Sequence, residues 1–174
     1  MHAKLKHTPG IYLVGFMGSG KSTVGQLLAD HLQWPFVDLD AEIERRRGKS
    51  ITEIFEQEGE AAFRDQEHQA LLEQVRLVSD GQPRVVALGG GAFVAVGNRE
   101  SISSAGISIW LDCRVDTLWE RISGYAHRPL ARDRARFEAL YLERSEAYQL
   151  ADFRVDASGS APQIVAAIEA LGLT

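Results

Sequence analysis

Cysteine is nearly missing from this chain. Cys113 is the only one among 174 residues, so no internal disulfide can form, which suits a reducing cytoplasm. Lysine is scarce as well, confined to Lys4, Lys6, Lys21 and Lys49. A net charge of −5 provides no global basic field for nucleic acid, so any polyanion must be met locally. No apolar run is long enough to span a membrane, and Met1 to Pro9 lacks a signal-peptide core. The five histidines show no metal-ligand spacing.

What remains is an ordinary globular composition, 45% hydrophobic and 25% charged. At this length one domain, residues 1–174, is expected, with residues 1–9 as a disordered polar lead-in. Short apolar runs at 11–14, 35–40, 84–88, 107–111 and 153–155 read as strands. Between and after them, helical spacing marks 41–47, 60–78, 99–105, 115–123, a stretch ending near Leu150, and 161–171. Ser50-Ile51-Thr52-Glu53 has capping-box spacing and opens a further helix. Strands alternating with helices predict a three-layer α/β/α fold around a parallel sheet.

The chain is organised around Gly15-Phe16-Met17-Gly18-Ser19-Gly20-Lys21-Ser22, followed by Thr23. This is the G-x-x-x-x-G-K-[ST] phosphate loop, with a strand before it and a helix after it, as the motif requires. Backbone N–H groups at the helix start would cradle phosphates of ATP. Lys21 would add a point charge at the β- and γ-phosphates, and Ser22 an oxygen for Mg²⁺. Asp38 and Asp40, at a strand end, are read as lying on one face by two-residue alternation. One would support hydrated Mg²⁺ and the other would accept a proton. The alternative is that they cap the next helix, for which Asp40 is well placed.

Gly89-Gly90-Gly91 lets a ligand approach the main chain, or simply forms a turn. Arg64 and Arg144 can each grip a carboxylate through two parallel hydrogen bonds, although either alone reads as a surface arginine. From Arg121 through Arg128 to Arg136, arginines crowd a stretch expected to be a mobile lid over the transferring phosphoryl, about residues 124–136. Arg45, Arg46 and Arg47 read as a solvated helix end, and Cys113 as a small core residue.

Taken in order, these segments resemble the shikimate kinase family. The match rests on the phosphate loop at 15–23, Phe36-Val37-Asp38-Leu39-Asp40, Ser50 to Phe55, Gly59 to Arg64, the three glycines, Arg128-Pro129-Leu130, and Arg144 with Tyr148. The resemblance implies a small P-loop kinase core with strand order 2-3-1-4-5, acting as a cytoplasmic monomer without nucleic-acid or membrane partners. The implied reaction moves the γ-phosphoryl of ATP to the 3-hydroxyl of shikimate, with Mg²⁺, on the route to chorismate and aromatic amino acids.

It further implies catalytic roles for Asp40, Lys21 and Arg128. ATP would be bound by Gly18, Ser19, Gly20, Lys21, Ser22, Thr23, Arg121 and Arg128. Shikimate would meet Asp40, Arg64, Gly90, Gly91 and Arg144, and Mg²⁺ would meet Ser22 and, through water, Asp38. Three departures stand out. Ala131 follows Arg128-Pro129-Leu130 where a second leucine and a longer lid are common. Leu88 replaces a frequent threonine, and residues 157–161 lack the arginine often found near adenine. Gluconate or nucleoside monophosphate acceptors are the alternatives within this core. A regulatory GTPase would need Asn/Thr-Lys-x-Asp, which none of the four lysines supplies. A nucleotide-binding module without turnover would have no use for Asp40, Lys21 and a lid arginine together.

Overall fold

In the computed structural model, residues 9–124 and 132–173 are described. The expected lead-in, most of the expected lid and Arg128 lie outside the described residues. β1 (Gly10–Val14), β2 (Phe36–Asp38), β3 (Arg84–Ala87), β4 (Ile107–Asp112) and β5 (Phe153–Asp156) form one sheet in the order β2-β3-β1-β4-β5. All pairings are parallel, with Leu13 between Ala87 and Ile109. β1 and β3 are buried at every position, as strands covered on both faces must be.

The helices are α1 (Lys21–Leu32), α2 (Leu39–Arg47), α3 (Ile51–Glu58), α4 (Glu60–Ser79), α5 (Val96–Ala105), α6 (Val115–Ser123), α7 (Arg134–Tyr148) and α8 (Ala161–Glu169). α1 crosses from β1 outward to β2, while the later connections run the other way along the sheet. Right-handed crossovers therefore put α1 on the opposite face from α4 and α5. Packing agrees: α1 lies against α8, and α4 against α5. Tyr12, Leu13, Val86 and Ile109, all fully buried, fill the centre. All five strands end their carboxyl termini on one rim, where ligands of such sheets collect.

Local chemistry sets several boundaries. β2 stops at Asp38, not at Asp40 as the sequence suggests, because the Asp38 carboxylate caps α2 by accepting the Ala41 N–H at 3.2 Å. Asp40 therefore sits in the first turn of α2, and capping falls to Asp38. Ser50 and Glu53 form the expected capping box. α5 begins at Val96, earlier than its periodicity indicates, after a 3-10 turn at Ala92–Val94. The arginines ending α2 are not bare: Arg45 and Arg46 pair with Glu42, Arg46 also with Glu73, and Arg47 with Glu58. Cys113 is buried, and burial pushes its thiol pKa up, as fits a core residue.

The turn between α5 and β4 packs directly onto the start of β1. A Cβ on Gly106 would fall inside the van der Waals envelope of the Gly10 carbonyl oxygen, whereas one on Gly97 would meet open space. Gly106→Ala should therefore destabilise the protein by about 1–3 kcal/mol in urea unfolding. Gly97→Ala should leave stability unchanged or raise it by about 0.4–1 kcal/mol. Equal effects from the two would refute this account of the contact.

Candidate active site

The phosphate loop owes its shape to two positive-φ glycines, Gly18 at 84° and Gly20 at 92°. Gly20 is the N-cap of α1 and offers no side chain to its first turn, so those N–H groups are left for an anion. Lys21 Nζ donates to the carbonyls of Gly15 at 2.7 Å and Phe16 at 3.1 Å, which fixes the ammonium at the loop's mouth. Ser22 Oγ donates to Asp38 Oδ2. A hydroxyl and a carboxylate in contact are oxygen donors of the kind magnesium takes alongside its retained waters. Ser19 is fully buried within the loop and Thr23 lines the cleft.

Across the cleft lies Asp40. A Cβ on Gly89 would stand 2.5 Å from Asp40 Oδ1, so only glycine leaves room for this carboxylate. That same Oδ1 is buried without a hydrogen-bond partner. Burial first, and the neighbouring Asp38 charge second, hold the Asp40 pKa above the usual aspartate range, while Lys21 pulls it back. A partly desolvated carboxylate at the edge of a cleft, with its pKa raised, is equipped to accept a proton.

The remaining glycines face the two arginines. A Cβ on Gly90 would lie 2.8 Å from Arg144 Nη1, and one on Gly91 2.5 Å from Arg64 Nη2. Arg64 is steered by Glu67, whose Oε1 accepts from Nη1 at 2.9 Å, and more distantly by Glu60 at 3.5 Å. Tyr148 donates to the Gly90 carbonyl at 2.5 Å, and the Arg144 guanidinium lies 5.7 Å from the Phe16 ring centroid. Two guanidiniums and one glycine turn thus converge, suited to one carboxylate. Arg121 donates to the Gly18 carbonyl and to the Ala157 carbonyl, both at 3.0 Å. It joins the phosphate loop to the segment after β5.

These groups surround a cleft of about 770 Å³, lined by the phosphate loop, both aspartates, Gly89, Gly90 and Arg121. Of the described residues expected at the site, Gly18, Gly20, Lys21, Ser22, Thr23, Asp38, Asp40, Gly90 and Arg121 line it, whereas Ser19, Gly91, Arg64 and Arg144 are not part of its lining; Arg144 lies against Gly90 and Arg64 against Gly91. Glu44 also lines the cleft and was not foreseen. Its place four residues after Asp40, on one helix face, is the signal that could have found it, and its Oε2 accepts the Ile51 N–H at 3.2 Å. Glu67, three residues past Arg64, has the spacing of a helical ion pair.

With this geometry in view, known proteins are informative. The model of the shikimate kinase family matches residues 17–171. The chain belongs to this family. A shikimate kinase of Cereibacter sphaeroides is 44% identical over 157 residues, covering 88% of this chain and 76% of the relative. Among solved structures, shikimate kinase from Aquifex aeolicus superposes with a TM-score of 0.83 at 36% identity, covering 94% of this chain and 95% of that one. The Acinetobacter baumannii shikimate kinase, solved in complex with shikimate, gives 0.83 at 35% identity over 97% of both chains. The shikimate kinase strand order 2-3-1-4-5 is the order seen here, and the family's members are ATP-dependent kinases.

The raised pKa of Asp40 carries a sign. A folded-state value above the unfolded one means that the folded protein binds the proton more tightly, so stability declines as pH rises from the unfolded value through the folded one. The penalty is therefore larger at neutral pH than in acid. Asp40→Asn should consequently raise Tm at pH 7, with the gap narrowing on acidification; a lower Tm at pH 7 would contradict this electrostatic account.

Proposed function

We propose that this shikimate kinase family chain transfers the γ-phosphoryl of ATP to the 3-hydroxyl of shikimate, giving shikimate 3-phosphate and ADP, with Asp40 as the base. The observation that carries the reading is the half-buried Asp40 carboxylate across the cleft from the Lys21 loop, beside a glycine turn flanked by Arg64 and Arg144. In the step itself, the hydroxyl proton passes to Asp40 as the hydroxyl oxygen bonds to the γ-phosphorus. The β–γ bridging P–O bond breaks and its electrons leave with ADP. The protein's task is placement and charge stabilisation. Lys21 and the N–H groups of Gly18 to Thr23 hold the phosphates, and Arg121 closes the adenine end. Arg64, Arg144, Gly90 and Gly91 hold the acceptor's carboxylate and ring.

Ser22 and Asp38, in contact at the loop, would hold Mg²⁺, Asp38 through water. When bound, that ion supplies positive charge to the β- and γ-phosphates. Arg128, outside the described residues, is proposed to stabilise charge on the moving phosphoryl as part of a lid at about 124–136. Residues 1–174 are taken as a single kinase domain, and the protein as a cytoplasmic monomer acting on small molecules. Among the described residues no helix is long and apolar enough to cross a membrane. The paired guanidiniums favour a carboxylate-bearing acceptor over a nucleoside monophosphate, and the family favours shikimate over gluconate.

Coupled ADP release with ATP and Mg²⁺ should be fast with shikimate and negligible with gluconate or AMP; preference for either rival would reverse the assignment. Asp40→Asn should lower kcat by about 10²–10⁴-fold, and wild-type kcat should fall on acidification with a midpoint above the ordinary aspartate value. A change in KM alone would reduce Asp40 to a binding group. Arg64→Lys, which loses the two-pronged grip, should weaken shikimate binding and leave ATP binding intact. Parallel loss of both ligands would count against the carboxylate clamp.

A further inference from the structure

The glycine turn needs something to hold it. Gly90 is fixed by Tyr148, but Gly91 and the 3-10 turn after it bear on Arg64, the end of a long side chain that exerts little restraint. Main-chain bonds close the turn itself, the Ala92 N–H donating to the Gly89 carbonyl at 3.1 Å and the Val94 N–H to the Gly91 carbonyl at 3.2 Å; what ties it to the neighbouring helices is Asn98, a buried residue of α5 that is 3% exposed. Its Nδ2 donates to the Ala92 carbonyl at 2.8 Å. With the amide nitrogen so used, Oδ1 must be the acceptor toward His68 Nδ1, 2.6 Å away, and the ring donates. His68 lies one helical turn beyond Arg64 on α4. A single face of α4 therefore reaches the glycine turn twice: through Arg64 against Gly91, and through His68 and Asn98 to Ala92. Arg99 reinforces the same turn, donating to the carbonyls of Phe93 at 2.8 Å and Val94 at 2.6 Å.

We infer that the His68–Asn98 bridge is a positioning device for the acceptor site: it sets the distance between the Arg64 guanidinium and the Gly90–Gly91 backbone, and so the fit of the shikimate carboxylate. The inference rests on the acceptor reading given above. Neither residue touches substrate in this account; each acts through the turn.

The test is steady-state kinetics with shikimate and ATP varied separately, alongside Tm. Asn98→Leu leaves the Ala92 carbonyl unpaired, and His68→Leu removes the donor to Asn98. Each should raise KM for shikimate about tenfold, the scale of one unmade buried hydrogen bond, with KM for ATP unchanged. His68→Asn places an amide N–H near the ring Nδ1 position and should restore the wild-type value, which a purely volumetric role for His68 would not. The two leucine variants combined should be no worse than Asn98→Leu alone. Should Asn98→Leu not fold, the half-buried His68 pair reads the same bridge. Unchanged KM for shikimate in the leucine variants, or equal rises for both substrates, overturns the inference. Arg64→Lys in the same assay separates the two failures. If it alone weakens shikimate, only the bridge is wrong; if none of the variants does, the acceptor reading falls with it.

Discussion

Holding an ionisable carboxylate with one oxygen shielded from water is costly, and Asp40 is held in that way. Its Oδ1 has no hydrogen-bond partner, a second carboxylate stands nearby in Asp38, and Lys21 only partly offsets the two effects. Much of the surrounding structure follows from keeping this group in position. The first turn of α2 presents it, and the Asp38 cap makes that turn begin where it does. Gly89 must lack a side chain so that the carboxylate has room. The destabilisation is what gives the group its affinity for a proton, so stability and reactivity are set against each other at one residue.

The same economy of space governs the other side of the cleft. Three successive glycines have three different neighbours, Asp40, Arg144 and Arg64. Each neighbour comes from a different helix, α2, α7 and α4. The turn is therefore less a flexible hinge than a meeting point at which three helices bring charge to one strand end. Glu67, 1% exposed and itself held above the usual glutamate range by burial, keeps Arg64 aimed. Arginine suits this arrangement because its planar fork can meet the Glu67 carboxylate along one edge and leave another edge with free N–H geometry for the proposed acceptor.

Which parts were legible in the sequence follows from the range of the interactions. The phosphate loop, the capping box at Ser50 and the strand–helix alternation are local, written in consecutive residues, and they stand as read. Asp38 and Asp40 both line the cleft, but not by the strand alternation that their spacing suggests, because a strand and a capped helix start place residues i and i+2 differently. Two of the partners of the arginines closing α2, Glu73 and Glu58, are distant in sequence and so escape a local reading, whereas Glu42, which meets Arg45 and Arg46, lies on the same helix. Asn98 was invisible for the same reason: a buried amide on an otherwise polar helix is indistinguishable from a surface residue until α4 is seen beside it.

Arg121 illustrates one more outcome of this architecture. By donating to Gly18 and to Ala157 it fastens two main-chain carbonyls, and neither bond depends on what side chain those residues carry. The start of the segment after β5 is thus fixed by its main chain, while its side chains carry separate duties: Ala157 is fully buried and Ser160 forms a capping box with Gln163 at the start of α8. A residue gained or lost before Ala157 would draw its carbonyl away from Arg121 and sever the tie between the phosphate loop and the sheet's far edge.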